Sequence, residues 1–182
     1  MPTLSLRRLL QAAAWAACTG AWLPVGAQAL GEREIRAAYL FNFIRFTEWP
    51  AAAFAAADTP INVCLLDGRE SSGVALAPLE GKTVGARTIH VSAGTTLAAA
   101  RECHVVYVAD AALVRLPSLR ETLGDAPTLL VGESDAALDR GAMIGFRALE
   151  RRLGFIINLG AARRVGLRLS PQVLKIALEV RE

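Results

Sequence analysis

The residue types that could do chemistry are few and widely spaced. Gly132-Glu133-Ser134-Asp135 follows an apolar run at residues 129–131, the place where a nucleophilic serine could stand at a strand end. It lacks the second glycine of G-x-S-x-G, and neither histidine, His90 or His104, falls in a triad pattern, so an acidic turn accounts for it better. Glu133 and Asp135 are a carboxylate pair. Acid–base work needs two environments that push their pKa values apart, which spacing alone does not supply. Ser71-Ser72-Gly73 stands after a short apolar run, where doubly wound folds take ligands at strand ends. Without G-x-G-x-x-G or a Walker pattern it is weak support for a phosphate cradle. These residues point away from an enzyme, and none of them implies a cofactor.

Sulfur offers a firmer reading. Beyond Cys18, near the start, the chain has two cysteines, Cys64 and Cys103. An even pair in an oxidising compartment reads as a disulfide, closing a loop of about 40 residues worth roughly 4 kcal/mol in the chain-entropy model. The rival is a metal site with His90 and His104, but zinc ligands usually come in pairs at short spacing, and these cysteines are far apart. Arg163-Arg164 is a basic pair that suits a solvated helix face, or contact with an anion or a protein partner.

The oxidising compartment itself follows from the first residues. Arg7 and Arg8 precede an apolar run over residues 9–23, and Ala27-Gln28-Ala29 supplies small residues for a cut before Leu30. That is the layout of a cleavable secretory signal peptide at residues 1–29, and the run falls short of the ~20 apolar residues of a membrane span. Two weaker alternatives are lipidation at Ala16-Ala17-Cys18 and twin-arginine export. The leader holds two of the 20 Lys and Arg and none of the 17 Asp and Glu. Residues 30–182, 153 in number, therefore carry 18 basic against 17 acidic groups, net +1. Neither nucleic acid nor a strongly acidic partner is implied.

The elements that must position these groups are legible in part. Residues 32–49 are the strongest helical segment: Ile35, Tyr39, Phe43 and Phe46 recur at helical spacing, and Pro50 stops the run. Glu32 and Glu34 suit the positive end of the helix dipole. Leu40, Phe41 and Ile44 make the other side apolar too, so the helix is either sandwiched or carries a partner. Phe41, Ile44 and an exposed Trp49 are the candidate contacts. Downstream, strands are expected at residues 61–66, 88–91, 103–109 and 127–131, alternating with short helices at 74–79, 96–101 and 113–123. That is the rhythm of a mostly parallel sheet covered on both faces. Residues 142–146 and 153–157 then read as an antiparallel hairpin, 158–165 as a helix, and Ser170-Pro171 as the cap and first turn of the last helix. The expected fold class is α/β, a single Rossmann-like domain over residues 30–182 with a C-terminal antiparallel hairpin.

The first helix and its stop, AAYLFNFIRFTEWP, resemble the start of the YfiR family of periplasmic proteins through Tyr39, Leu40, Asn42, Phe43, Phe46, Trp49 and Pro50. The likeness continues in order through Val63-Cys64, Leu79, Gly81-Lys82, Cys103, Gly141, Met143-Ile144, Phe155, Ile157-Asn158-Leu159 and Ser170-Pro171-Gln172-Val173-Leu174-Lys175. The resemblance implies a non-enzymatic periplasmic repressor. It would bind an inner-membrane diguanylate cyclase or another membrane sensor and restrain cyclic di-GMP synthesis and biofilm formation. An OmpA-like outer-membrane lipoprotein relieves such repression in the family, and members dimerise, so a homodimer is expected. Cys64 and Cys103 match the family's central bridge. Some members carry a second cysteine pair in the later hairpin, where this chain has Gly145 and no further cysteine. The alternative function is a periplasmic small-molecule-binding sensor, with its pocket near residues 67–73.

Overall fold

A computed structural model of the chain describes residues 31–66, 73–150 and 152–182. The leader, the turn at Asp67-Gly68 and Ser71-Ser72 lie outside them. The strands are β1 (Thr47–Glu48), β2 (Ile61–Leu66), β3 (Thr83–Val84), β4 (Arg87–Thr95), β5 (Val105–Val108), β6 (Leu129–Gly132), β7 (Ile144–Leu149), β8 (Arg152–Asn158), β9 (Arg168–Leu169) and β10 (Glu179–Arg181). The α-helices are α1 (Glu32–Arg45), α2 (Leu116–Leu123), α3 (Leu159–Arg164) and α4 (Pro171–Ile176).

Eight strands form one sheet in the order β10-β8-β7-β6-β5-β2-β4-β3. From β4 through β7 every neighbour is parallel, and β7 turns back antiparallel into β8. The expected α/β class, parallel sheet and hairpin are all present.

Alternation along the strands divides the core into two layers. Val63, Leu65, Val105, Tyr107, Leu129 and Val131 face one side, where they pack with α1, α3 and α4. Cys64, Leu66, Val106, Val108 and Leu130 face the other, against α2 and short 3-10 turns. A strand buried on both faces has no polar side to show, which is why these segments read as unbroken apolar runs.

Several boundaries differ from expectation, each for a local reason. The helix expected over residues 32–49 ends at Arg45, and Thr47–Glu48 instead pairs antiparallel with Arg168–Leu169. The Thr47 hydroxyl donates to the Phe43 carbonyl at 2.6 Å, satisfying an end-of-helix acceptor. The chain then extends towards Pro50, whose ring disfavours helical backbone in the residue before it. Residues 74–79 and 96–101 hold only 3-10 turns, at Ala77–Leu79 and Ala99–Glu102. Pro78 and Gly81 leave the first of these no room for a full helical turn. The helix expected over 113–123 splits into a 3-10 segment, Asp110–Arg115, and α2, with Pro117 in the first turn of α2. Strands β1, β3, β9 and β10 are additional; they are two or three residues long and carry no apolar run of their own.

Candidate partner-binding surface

The aromatic residues of α1 do two different jobs. Tyr39 and Phe43 point into the domain and meet the hairpin: the Phe43 ring centroid lies 4.8 Å from that of Phe155 and 5.8 Å from that of Phe146. Tyr39 stands 5.4 Å from Phe155, and its hydroxyl donates to the Leu153 carbonyl at 3.4 Å. Such edge-on and tilted pairs add to the area they bury. Ile44 is fully enclosed, 0% exposed, so it is withdrawn as a partner contact; its side chain is core because the helix is sandwiched.

Phe41 and Asn42 lie on the outer side. Phe41 is half-buried and Asn42 exposed. With Ala38, Pro78, Leu79 and Lys82 they line a mostly apolar groove of about 350 Å3 between α1 and the 77–79 turn. The Lys82 ammonium stands 5.3 Å from the Phe41 ring centroid, a cation–π distance, and Glu34 lies at the rim.

Trp49 is half-buried and is not the free anchor expected of it. Its ring packs edge-on against Phe54 at 6.2 Å, and its indole N–H is buried without a partner. Phe54 is in turn in contact with two further side chains. The Arg87 guanidinium carbon lies 3.6 Å from the ring centroid, and the His104 ring stacks with its centroid 4.5 Å away. Arg87 is fixed by donating to the carbonyls of Ala56 at 2.9 Å and Thr59 at 2.7 Å.

His104 has a defined tautomer. Its Nδ1 accepts from the Asn62 backbone N–H at 3.1 Å, so the proton resides on Nε2 and is donated to the Ala53 carbonyl, also at 3.1 Å. Burial, above all, and the nearby Arg87 charge hold its pKa below the usual histidine value, against the opposing bond to Ala53. It is a structural histidine, joining β5 to the 51–53 turn. His90 is exposed and pairs with Glu80 at 3.0 Å; that bond and the Val91 N–H draw the Glu80 carboxyl below its ordinary pKa. Among the described residues no group of His, Cys, Asp and Glu is arranged to hold a metal.

Cys64 and Cys103 form a disulfide between β2 and the entry to β5, with Cα atoms 6.0 Å apart. Both are enclosed, at 3% and 5% exposure, and the Ser92 hydroxyl donates to the Cys64 sulfur at 3.3 Å. A shallow hollow of about 450 Å3 borders the bridge.

The remaining expected residues are scattered. Arg163 is engaged by the Glu182 carboxylate. Arg164 is exposed at the rim of a separate hollow with Arg120 and Asp125. Phe46 is half-buried, with the Arg45 guanidinium 5.4 Å from its ring centroid. Pro50 starts the 51–53 turn, and Asn158 caps α3 by accepting from the Ala161 N–H at 2.9 Å. Ser134 donates to Asp110 at 2.6 Å, and no histidine joins them.

One polar cluster was not expected. At the C-terminal ends of the parallel strands, the Tyr107 hydroxyl and Arg36 Nε are buried without partners. The rest of the Arg36 head pairs with Glu32 at 2.7 Å and the Gly73 carbonyl at 3.0 Å. Burial, then the Glu133 charge, drives the Tyr107 pKa far above its ordinary value. A tyrosine inside an apolar strand gives no sign in sequence that its hydroxyl will lack a partner.

A family model described as YfiR/HmsC-like matches residues 33–178. No curated protein matches the chain in sequence. Among solved structures, a conserved domain protein of Vibrio cholerae O1 biovar El Tor superposes with a TM-score of 0.52 at 12% identity, covering 80% of this chain. This chain spans 60% of that one, and the likeness speaks to fold alone.

Proposed function

Because the chain belongs to the YfiR/HmsC-like family, whose members are periplasmic regulators tied to cyclic di-GMP signalling, we propose that it restrains an inner-membrane diguanylate cyclase by direct protein contact. In this reading the leader at residues 1–29 is removed on export, and the domain acts as a homodimer without catalysis of its own. Binding favours the inactive conformation of the cyclase. The shift it produces is limited by its differential affinity for the receptor's two states. An OmpA-like outer-membrane lipoprotein that sequesters the domain would relieve the restraint.

The observation that carries this reading is the family match over residues 33–178. The Phe41 groove supports it, since a half-exposed aromatic beside an exposed amide and a cation suits a protein contact. Phe41, Asn42 and Lys82 are the proposed contact residues, with Arg164 on a separate face; no helix among the described residues is long and apolar enough to cross a membrane. The test is deletion of the gene with cyclic di-GMP measured in the same strain, together with co-purification of the tagged domain from membranes. A rise in cyclic di-GMP and recovery of a cyclase are expected. An unchanged level argues against the reading.

The second reading, a small-molecule sensor, draws support from the unpartnered Tyr107 hydroxyl and Arg36 Nε at the strand ends. A thermal-shift screen against nucleotides and amino acids separates the two, because a ligand of the native state raises the melting temperature.

A further inference from the structure

Strand β10 is an outer strand of the eight-stranded sheet, paired on its inner side with β8 in parallel. On β8 the Asn158 N–H donates to the Met143 carbonyl, so Ile156 and Asn158 bond β7 while Phe155 and Ile157 turn to β10. With Glu179 opposite Ile156 and Arg181 opposite Asn158, the backbone groups of Glu179 and Arg181 point inward. With the two-residue alternation of a strand, those of Val180 point outward. Among the described residues, no strand pairs with that outer side.

Exposed apolar residues lie on this edge and just before it. Ile176, Leu178 and Val180 are 63%, 37% and 37% exposed, three of the five large hydrophobics exposed among the described residues. Open edges of this kind invite pairing unless something covers them.

The charges on the strand choose the cover. Glu179 and Arg181 share one face of the strand, and the Arg181 guanidinium reaches Glu179 at 2.7 Å within its own chain. In an antiparallel ladder, two outward residues that face each other exchange both backbone hydrogen bonds. A two-fold axis through Val180 lets Val180 of each copy exchange two backbone bonds with the other and sets Glu179 of each copy against Arg181 of the other, forming two opposite-charge pairs. An axis through 179 would set glutamate against glutamate, and one through 181 arginine against arginine. Like charges directly opposite are destabilising, so only the Val180 register is self-complementary.

We propose that β10 pairs with β10 of a second copy about Val180, joining the two sheets edge to edge. This supplies the contact for the homodimer of the preceding section. It is tested on the purified chain alone, so its failure is distinct from failure to bind a cyclase.

The experiment is sedimentation velocity on the exported chain, with thermal melts to verify folding. The wild-type chain is expected to be dimeric at about 100 µM. Glu179→Arg and Arg181→Glu each set like charges across the axis and are expected to raise the dissociation constant at least about tenfold. The double swap, Glu179→Arg with Arg181→Glu, restores both opposite-charge pairs and is expected to recover the dimer. Val180→Arg crowds two guanidinium groups at the axis and dissociates it independently of the swap. A monomeric wild-type chain, or a dimer indifferent to both single changes and to Val180→Arg, overturns the proposal. Loss in the single variants without recovery in the double swap overturns the register.

Discussion

Phe43 is the residue on which α1 turns. It touches both strands of the hairpin through Phe146 and Phe155, and Tyr39 stacks beside it at 6.1 Å. Phe43→Ala is expected to cost about 3–5 kcal/mol, seen as a large fall in the urea midpoint with an unchanged slope. His104 gives the stability its pH dependence. Its folded pKa lies below that of an exposed histidine. Unfolding in the intervening range therefore takes up a proton. The stability it contributes is complete above the unfolded value, about 6.5, and is lost as pH falls through the folded value. Wild-type melts should weaken below that point, and His104→Gln should flatten the slope. Gly145 has a third role. A Cβ there would sit 2.8 Å from the Ser134 carbonyl oxygen and 2.9 Å from the Asp135 Cα, both backbone atoms. A cysteine of a second bridge cannot occupy this position without moving the 134–135 turn. Gly145→Ala is expected to destabilise by about 1–3 kcal/mol in denaturant melts.

At the scale of elements, the disulfide ties β2 to β5, the two strands at the centre of the parallel sheet, across a separation of 39 residues. Both strands are already hydrogen-bonded in register, so the bridge acts chiefly on the unfolded chain. Cys64→Ser with Cys103→Ser should lose about 4 kcal/mol, and reductant should lower the wild-type urea midpoint but leave the double variant unmoved. The end of α1 is a second element-scale device. Thr47 closes the helix, and the β1–β9 pair, with Glu48 opposite Arg168, fixes the exit of α1 to the stretch before α4. The resemblance to the YfiR family, carried on these aromatic residues, is therefore mostly a packing signature; Asn42 is the member of that set that is fully on the surface.

For the whole molecule, the two proposed contacts lie on different elements: the Phe41 groove on α1 and the 77–79 turn, the β10 edge at the end of the sheet. A domain that used both could pair with itself while presenting two α1 grooves to a membrane receptor. Phe41→Ala is expected to weaken binding to the cyclase's periplasmic part at least about tenfold, by surface plasmon resonance, while lowering the melting temperature by about 5 °C or less. Loss of stability without loss of binding would mean that the ring serves only packing.

The sequence by itself carried the fold class, the hairpin, the cap at Ser170 and the Cys64–Cys103 pair. Each of these is written in a local pattern: buried strands are apolar throughout, caps need particular side chains, and two cysteines have few ways to pair. Only the tertiary structure decided which apolar residues of α1 face inward, because a helix greasy on several sides has no periodic signal to separate Ile44 from Phe41. It also decided the short strands β1, β3, β9 and β10, whose two or three residues pair because neighbours bring them together. The stacking of Arg87, Phe54 and His104 belongs to the same class. Those contacts join residues 33 and 50 positions apart, and no local spacing encodes a meeting that the closing of the sheet brings about.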